Sequence, residues 1–176
     1  MRGMKRPSRP VLKPIMPPSE IPPSGHICIV RSPSGEFVGM WQANMHIGAQ
    51  LVNVPGALVW NELATRDAGT AQKFYHEAFG WTYETDENNY TMILNNGRMN
   101  GGIMTMNENF PPEMPPHWGV YFMVENCTEA VEKAASLGAT VIMPPAEMNG
   151  MDIGGIMSPT GEMIYLIRMD NVDPMP

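Results

Sequence analysis

This sequence has few cysteines, no long apolar run and no excess of positive charge. Its two cysteines, Cys28 and Cys127, stand far apart, which favours buried free thiols over a disulfide framework or a thiolate metal site. No apolar run reaches about 18 residues, so no membrane-spanning segment is expected. With 11 Lys and Arg residues against 18 Asp and Glu residues, the net charge of −7 disfavours nucleic acid as a partner.

A secretory signal is not indicated either. The basic start of the chain runs into Pro7, Pro10 and Pro14, where a signal peptide would need an apolar segment. We therefore expect a cytoplasmic protein.

A repeated sequence is the most informative feature that is present. Ile15–Glu20 and Ser32–Glu36 recur, at nearly the same separation, as Ile142–Glu147 and Ser158–Glu162. A long patterned segment precedes the second copy, whereas little chain precedes the first, and such repeats decide the fold. We interpret the N-terminal part as the last strands of one truncated module, joined to a complete second module.

Four segments follow from this interpretation. Residues 1–48 combine a proline-rich arm with the three-strand remnant of the truncated module. Residues 49–55 form a connector, residues 56–169 form the complete module, and residues 170–176 form a tail. The prolines that crowd the start of the arm favour an extended or polyproline-like backbone over a helix.

The complete module reads as two βαβββ units in series. In the first, a strand over 57–65 precedes a helix that Asp67 caps and Gly80 ends, then strands over 81–84 and 90–94 and a hairpin into 98–106. In the second, a strand over 118–124 precedes a helix opened by Asn126 and closed by Gly138, then strands over 139–143, 153–157 and 162–167. The predicted fold is α+β, with a cupped mixed sheet and its helices outside.

The residues of this module resemble a known superfamily. The resemblance is carried by Trp60–Asp67, Phe74-Tyr75, Phe79-Gly80-Trp81, His117–Val124 and Ser158–Gly161. These look like the vicinal oxygen chelate superfamily, which includes glyoxalase I, extradiol dioxygenases and bleomycin-resistance proteins. The closest likeness is to double-module glyoxalase-like proteins.

The resemblance also implies where metal ligands would lie. Metal-dependent members place His, Gln or Glu on the first and last strands of each unit, facing the cup. Here these positions fall on Trp60, Gly119 and Tyr165, and on Gly39 in the truncated copy, while the remaining position lies within 101–106, which has no His, Asp, Glu or Cys. Because divalent metals need carboxylates or imidazoles, we expect no metal and no other cofactor.

Strand alternation predicts which side chains line the cup. The expected ligand-binding residues are Trp60, Glu62, Tyr121, Met123, Met163 and Tyr165, and the lining is either an open pocket for a small apolar or aromatic molecule or a filled core. Glu62 is the candidate catalytic residue, as a general acid or base, and the alternative is a structural partner for a backbone amide or Arg98.

Three functions remain open at this point. The favoured one is a metal-independent small-molecule binder, because aromatic residues replace the metal ligands. The second is a lyase or isomerase that uses Glu62 or an unrecognised metal site, and the third is an interaction module. A lone hairpin with an open edge is marginally stable, so we expect the remnant to dock on the complete module of its own chain or of a partner chain. We also expect a homodimer, and an exchange of the N-terminal arm between its two chains is the economical arrangement.

Overall fold

A small antiparallel sheet forms the N-terminal part of the protein. The computed structural model describes residues 14–170, so part of the proposed arm (1–13) and most of the tail (171–176) lie outside the described residues. Strands β1 (Pro14–Ile21), β2 (Gly25–Arg31) and β3 (Phe37–Ala43) pair in the order β1-β2-β3. The proline-rich segment thus contributes an edge strand, where missing backbone donors are tolerated.

The large sheet contains two βαβββ units. The first comprises β4 (Leu58–Thr65), α1 (Ala68–Phe79), β5 (Thr82–Thr85), β6 (Thr91–Asn95) and β7 (Arg98–Thr105). The second comprises β8 (His117–Met123), α2 (Cys127–Ser136), β9 (Thr140–Met148), β10 (Met151–Met157) and β11 (Met163–Arg168).

The pairing of these strands confirms the predicted α+β fold. The eight strands run in the order β5-β6-β7-β4-β8-β11-β10-β9. Within each unit the first strand is parallel to the last, β4 to β7 and β8 to β11. The two units meet where β4 and β8 pair antiparallel, so their first strands form the middle of the sheet.

Local sequence signals set the ends of these elements. The Asp67 side chain accepts a hydrogen bond from the Thr70 backbone at 3.0 Å and caps α1, while Gly80 ends the helix in the left-handed conformation. Asn126 caps α2 in the same way. Asn96 and Gly97 both have positive φ, which matches the two-residue hairpin turn between β6 and β7.

The small sheet repeats the strand order and turn of β9–β11. In the turn before β3, Ser32 and Ser34 share a hydrogen bond and Ser34 donates to the Glu36 carboxylate. In the turn before β11, the hydroxyl groups of Ser158 and Thr160 both donate to the Glu162 carboxylate. The repeated sequence therefore encodes the same turn twice.

Helix α1 is covered from both sides. Leu63, Ile93 and Ile103 of the large sheet and Val30 of the small sheet enclose Ala71, Phe74 and Tyr75 of the helix. Among residues 14–170, helix α2 is covered by its own sheet, through Cys127 and Val131 against Ile156 and Leu166. The small sheet of this chain therefore docks on α1 of the same chain.

Within residues 14–170, neither helix is long and apolar enough to cross a membrane.

Candidate functional site

Glu62 lies at the centre of the cup-facing side of the large sheet. The residue is only 8% exposed. One carboxylate oxygen, Oε1, accepts a hydrogen bond from the Tyr121 hydroxyl at 2.8 Å, and Oε2 accepts one from the Tyr90 hydroxyl at 2.8 Å. The structural alternative predicted for Glu62, a backbone amide or Arg98, is therefore wrong in its partners, because two phenols hold the carboxylate.

Tyr90 reaches Glu62 because the turn before β6 and a glycine in β7 both favour that position. Asp86 accepts a hydrogen bond from the Tyr90 backbone at 2.9 Å and fixes the turn. A Cβ atom on Gly102 would overlap the Tyr90 hydroxyl, so the glycine leaves space for the ring. The Trp60 indole donates to the same hydroxyl at 3.0 Å, which links a third aromatic side chain to the site.

Sequence reasoning did not find Tyr90, although a signal was present. Tyr90 has the same strand parity as Met92, which pairs with Gly102, and Gly102 pairs with Glu62. Alternation across the three strands would have placed the phenol on the Glu62 side.

Tyr165 fills the space beside a predicted metal-ligand position. Its ring stacks on Tyr121 with centroids 4.7 Å apart and an interplanar angle of 18°. A Cβ atom on Gly119 would lie 2.9 Å from Cε2 of Tyr165, so glycine at this position makes room for the ring. Two of the inferred ligand positions are therefore a glycine and the aromatic ring that covers it.

The structure brings together most of the predicted lining, but not all of it. Trp60, Tyr121 and Tyr165 form one cluster with Ile153 and Ile167. Met123 and Met163 are not in this cluster, because Met123 ends β8 and Met163 begins β11. Met143 and Met151, from β9 and β10, pack there instead, and the parity argument did not reach those strands.

Burial controls the ionisation of the site. Desolvation raises the pKa of Glu62 above its ordinary value, while hydrogen bonds from Tyr121 and Tyr90 and the nearby His117 act in the opposite direction. The pKa values of Tyr90 and Tyr121 are raised by burial and then by the charge of Glu62. Burial also raises the pKa of Tyr165. The phenols therefore stay protonated and act as donors.

The residues present do not fit the divalent metal of the metal-dependent members. Among residues 14–170 no three His, Cys, Asp or Glu side chains are grouped so that they could hold a metal ion. Glu62 is the acid of the cup, and both of its oxygens already accept phenol hydrogen bonds. Trp60, Gly119 and Tyr165 supply neither carboxylate nor imidazole.

Fold, family match and relatives agree on the class of this protein. Residues 57–95, from the start of the first unit to the end of β6, match the family described as bleomycin resistance protein-like N-terminal. The chain thus has a bleomycin-resistance-like domain match, glyoxalase-like relatives and a glyoxalase-like fold, which is the likeness to the vicinal oxygen chelate superfamily that its sequence predicts.

Two curated relatives cover most of the chain. CFP32 of Mycobacterium tuberculosis, which is named provisionally as a glyoxylase, is 36% identical over 159 residues, covering 88% of this chain and 60% of CFP32. The anthracycline biosynthesis protein DauV of Streptomyces sp. (strain C5) is 27% identical over 161 residues, covering 91% of this chain and 58% of DauV. The chain thus spans about three fifths of the length of these relatives.

Solved structures share the fold at low sequence identity. The Mn(II)-bound glyoxalase from Novosphingobium aromaticivorans has a TM-score of 0.61 and 14% identity, covering 92% of this chain and 56% of the glyoxalase. The 2,3-dioxygenase LapB from Pseudomonas sp. KL28 has a TM-score of 0.59 and 14% identity, covering 94% of this chain and 65% of LapB. At this identity the likeness concerns the fold alone.

Proposed function

We propose that this protein binds a small apolar or aromatic molecule in the cup of the large sheet, without a metal ion. The observation that carries the proposal is that Trp60, Gly119 and Tyr165 occupy the positions where metal-dependent members have metal-ligand side chains. These side chains offer flat apolar surfaces, and few polar groups among apolar walls are typical of ligand pockets. In this proposal Trp60, Glu62, Tyr121 and Tyr165 contact the ligand, and Met123 and Met163 lie at the ends of the lining.

One relative supports the choice of a flat ligand. DauV is named for anthracycline biosynthesis, and anthracyclines contain a flat fused-ring system. The partly exposed rings of Trp60 and Tyr165 could stack on such a molecule. Glu62 then serves to fix the two phenols that shape the floor of the cup.

The test of this proposal uses 1-naphthol as a flat apolar probe. NMR titration should shift the indole N–H signal of Trp60, and Trp60→Ala should weaken binding by about tenfold or more, as expected when a stacking wall is lost. Trp41→Ala is the matched control, because Trp41 lies on the small sheet and is 37% exposed. An unchanged Trp60 signal, or a Trp60→Ala variant that loses about 3–5 kcal/mol of stability instead of affinity, would mean that Trp60 is core.

The metal-independent part has its own test. Elemental analysis of the purified protein should find no stoichiometric zinc, nickel, iron or manganese. A chelator should leave the Tm unchanged, since a metal that binds only the native state would stabilise it. A transition metal at near-full occupancy would contradict the proposal.

A lyase or isomerase is the second candidate, and one observation favours it. Glu62 is a buried carboxyl group whose pKa is raised, and such groups serve as general acids and bases. In an isomerase, the Glu62 carboxylate would take a proton from a carbon next to a carbonyl and return it to the neighbouring carbon. When Glu62 takes the proton it needs one phenol donor fewer, so the Tyr90 or Tyr121 hydroxyl would turn to the carbonyl oxygen as that oxygen gains negative charge. The carbonyl oxygen would take the proton of the neighbouring hydroxyl group as Glu62 returns the carbon-bound proton, and the new carbonyl forms there.

Proton exchange distinguishes this enzyme from a binder. Dihydroxyacetone in D₂O should exchange its carbon-bound hydrogens faster in the presence of the protein, and Glu62→Gln should abolish the acceleration. No acceleration by the wild-type protein, with naphthol binding intact, would favour the binder.

The proposed homodimer concerns the small sheet. Within residues 14–170, β3 pairs with β2 alone, which leaves its other edge without a partner strand. Phe37 is 56% exposed and Trp41 37% exposed on this strand. Because an open apolar edge favours pairing with another chain, we propose that two copies associate here or exchange their small sheets.

Solution mass tests the dimer. Light scattering should give twice the chain mass of 19.5 kDa at micromolar concentration, and Trp41→Lys should shift the protein toward the monomer. A wild-type protein that stays monomeric under these conditions would contradict the proposal.

A further inference from the structure

A cleft separates the small sheet from the helix-side face of the large sheet. Its volume is about 390 Å³, within the range of small-molecule sites. Phe37 of β3 lies on one side, and Tyr75, Trp81 and Trp118 lie on the other. Asn61 also lines it, and because Asn61 and Glu62 are consecutive strand residues, the cleft and the cup are on opposite faces of β4.

The aromatic wall of this cleft is fixed by contacts within the protein. Tyr75 and Trp81 stack with centroids 5.1 Å apart and an interplanar angle of 16°. Trp118 stands edge-on to Tyr75 at 5.6 Å and donates to its hydroxyl at 3.0 Å. The Tyr75 hydroxyl in turn donates at 2.7 Å to Glu36, which is fully buried. Both sides of the cleft are therefore held in place without a ligand.

Two side-chain amides lie among these rings. Asn61 and Asn100 line the cleft, and within residues 14–170 neither side-chain amide takes part in a hydrogen bond. Asn100 is an extra residue in β7, because Ile93 pairs with Gly101 while Leu94 pairs with Met99. A bulge of this kind redirects a side chain and is common next to binding sites.

We propose that this cleft is a second binding site, for a flat, neutral aromatic molecule with a carbonyl or hydroxyl group at its edge. The rings of Trp81 and Trp118 supply apolar contact, and Phe37 is open to the cleft with Arg31 held 5.1 Å above its ring. An amide both donates and accepts, so it pairs with either edge group. The residues that line the cleft carry no charge, which selects a neutral ligand.

The test uses quinolin-2-one, a flat neutral lactam, as the probe. The chain has four tryptophans, and their indole N–H signals separate the sites: Trp81 and Trp118 report the cleft, Trp60 the cup and Trp41 the small sheet. Titration should shift the Trp81 and Trp118 signals saturably, with a Kd in the low-millimolar range, about 1–5 mM for a molecule of this size.

Variants then assign the contacts. Asn100→Leu removes the amide from an exposed position and should weaken binding about 2- to 10-fold, as expected for one hydrogen bond. Phe37→Ala should also weaken it, whereas Asn109→Leu, a matched change in an exposed loop, should not.

Three results would overturn the proposal: no saturable shift of Trp81 or Trp118 up to about 10 mM probe, a shift confined to Trp60, or equal weakening by the Asn109 control. The cup is tested separately by the Trp60 signal with naphthol, so either site can fail alone.

Discussion

The Tyr121 hydroxyl should determine how strongly stability depends on the charge of Glu62. Tyr121→Phe keeps the ring that stacks on Tyr165 and removes only the donor that lies 2.8 Å from Glu62. A hydrogen bond to a charged group contributes about 1.5–3 kcal/mol, and one to a neutral group about 0.5–1.5 kcal/mol. The variant should therefore lose more stability when Glu62 is ionised than when it is protonated.

The difference fixes the expected change in pKa. About 1–1.5 kcal/mol between the two ionisation states corresponds to a rise of about one unit in the pKa of Glu62. In the wild type, burial already raises that pKa above the ordinary value of a glutamate. A carboxyl group whose folded pKa is raised contributes stability that is present below its unfolded pKa and is lost as pH rises through its folded pKa. Tyr121→Phe should move that loss to higher pH and enlarge it.

Urea unfolding from about pH 4 to about pH 8 measures this effect, with carboxyl NMR signals to report the pKa of Glu62 directly. Tyr83→Phe is the matched control, because the Tyr83 hydroxyl donates at 2.9 Å to the uncharged backbone carbonyl of Gln72. It should lose about 0.5–1.5 kcal/mol at every pH in this range, since burial raises the pKa of Tyr83 to about 12. If both variants show the same pH dependence, the Tyr121 hydroxyl does not control the charge of Glu62.

Two further predictions concern packing around the sites. Tyr75→Phe removes the donor to buried Glu36 and should lower the free energy of unfolding by about 1.5–3 kcal/mol. Limited proteolysis should then show faster cleavage between the two sheets, and unchanged cleavage would mean that apolar contacts alone hold the small sheet. Gly102→Ala places a methyl group against the Tyr90 hydroxyl, so it should lower the free energy of unfolding by about 1–3 kcal/mol and shift the NMR signal of the Trp60 indole. Gly39→Ala is the control, because its methyl group meets open space and should change neither quantity. A Gly102→Ala variant as stable as the wild type would contradict the site geometry.

The fold could be predicted because its signals are local or repeated. The Asn96-Gly97 turn, the Asp67 cap and the Gly80 terminus each act within a few residues, so their effect does not depend on distant parts of the chain. The order of the elements then follows from two matching βαβββ patterns. The three strands of the small sheet were expected because Ile15–Glu36 repeats Ile142–Glu162.

The contacts around Glu62 and Glu36 could be predicted only in part, because they join residues that are far apart in sequence. Alternation placed Glu62 and Tyr121 on one face, but their hydrogen bond depends on the register between β4 and β8. The contact between Glu36 of the small sheet and Tyr75 depends on how the two sheets pack, which no short sequence pattern encodes. Met123 and Met163 have the expected parity, yet they sit at strand ends, where parity no longer decides packing.

The repeated turn provides an internal comparison of one motif in two environments. Glu36 and Glu162 end the same five-residue pattern and accept from equivalent hydroxyl groups. Glu162 is exposed, so its carboxylate organises only its own turn. Glu36 is fully buried and also receives the Tyr75 hydroxyl, so the identical chemistry joins two sheets. Glu36→Gln and Glu162→Gln are therefore the same chemical change made twice, and the difference between their effects measures what the surroundings add to a motif that the local sequence has already formed.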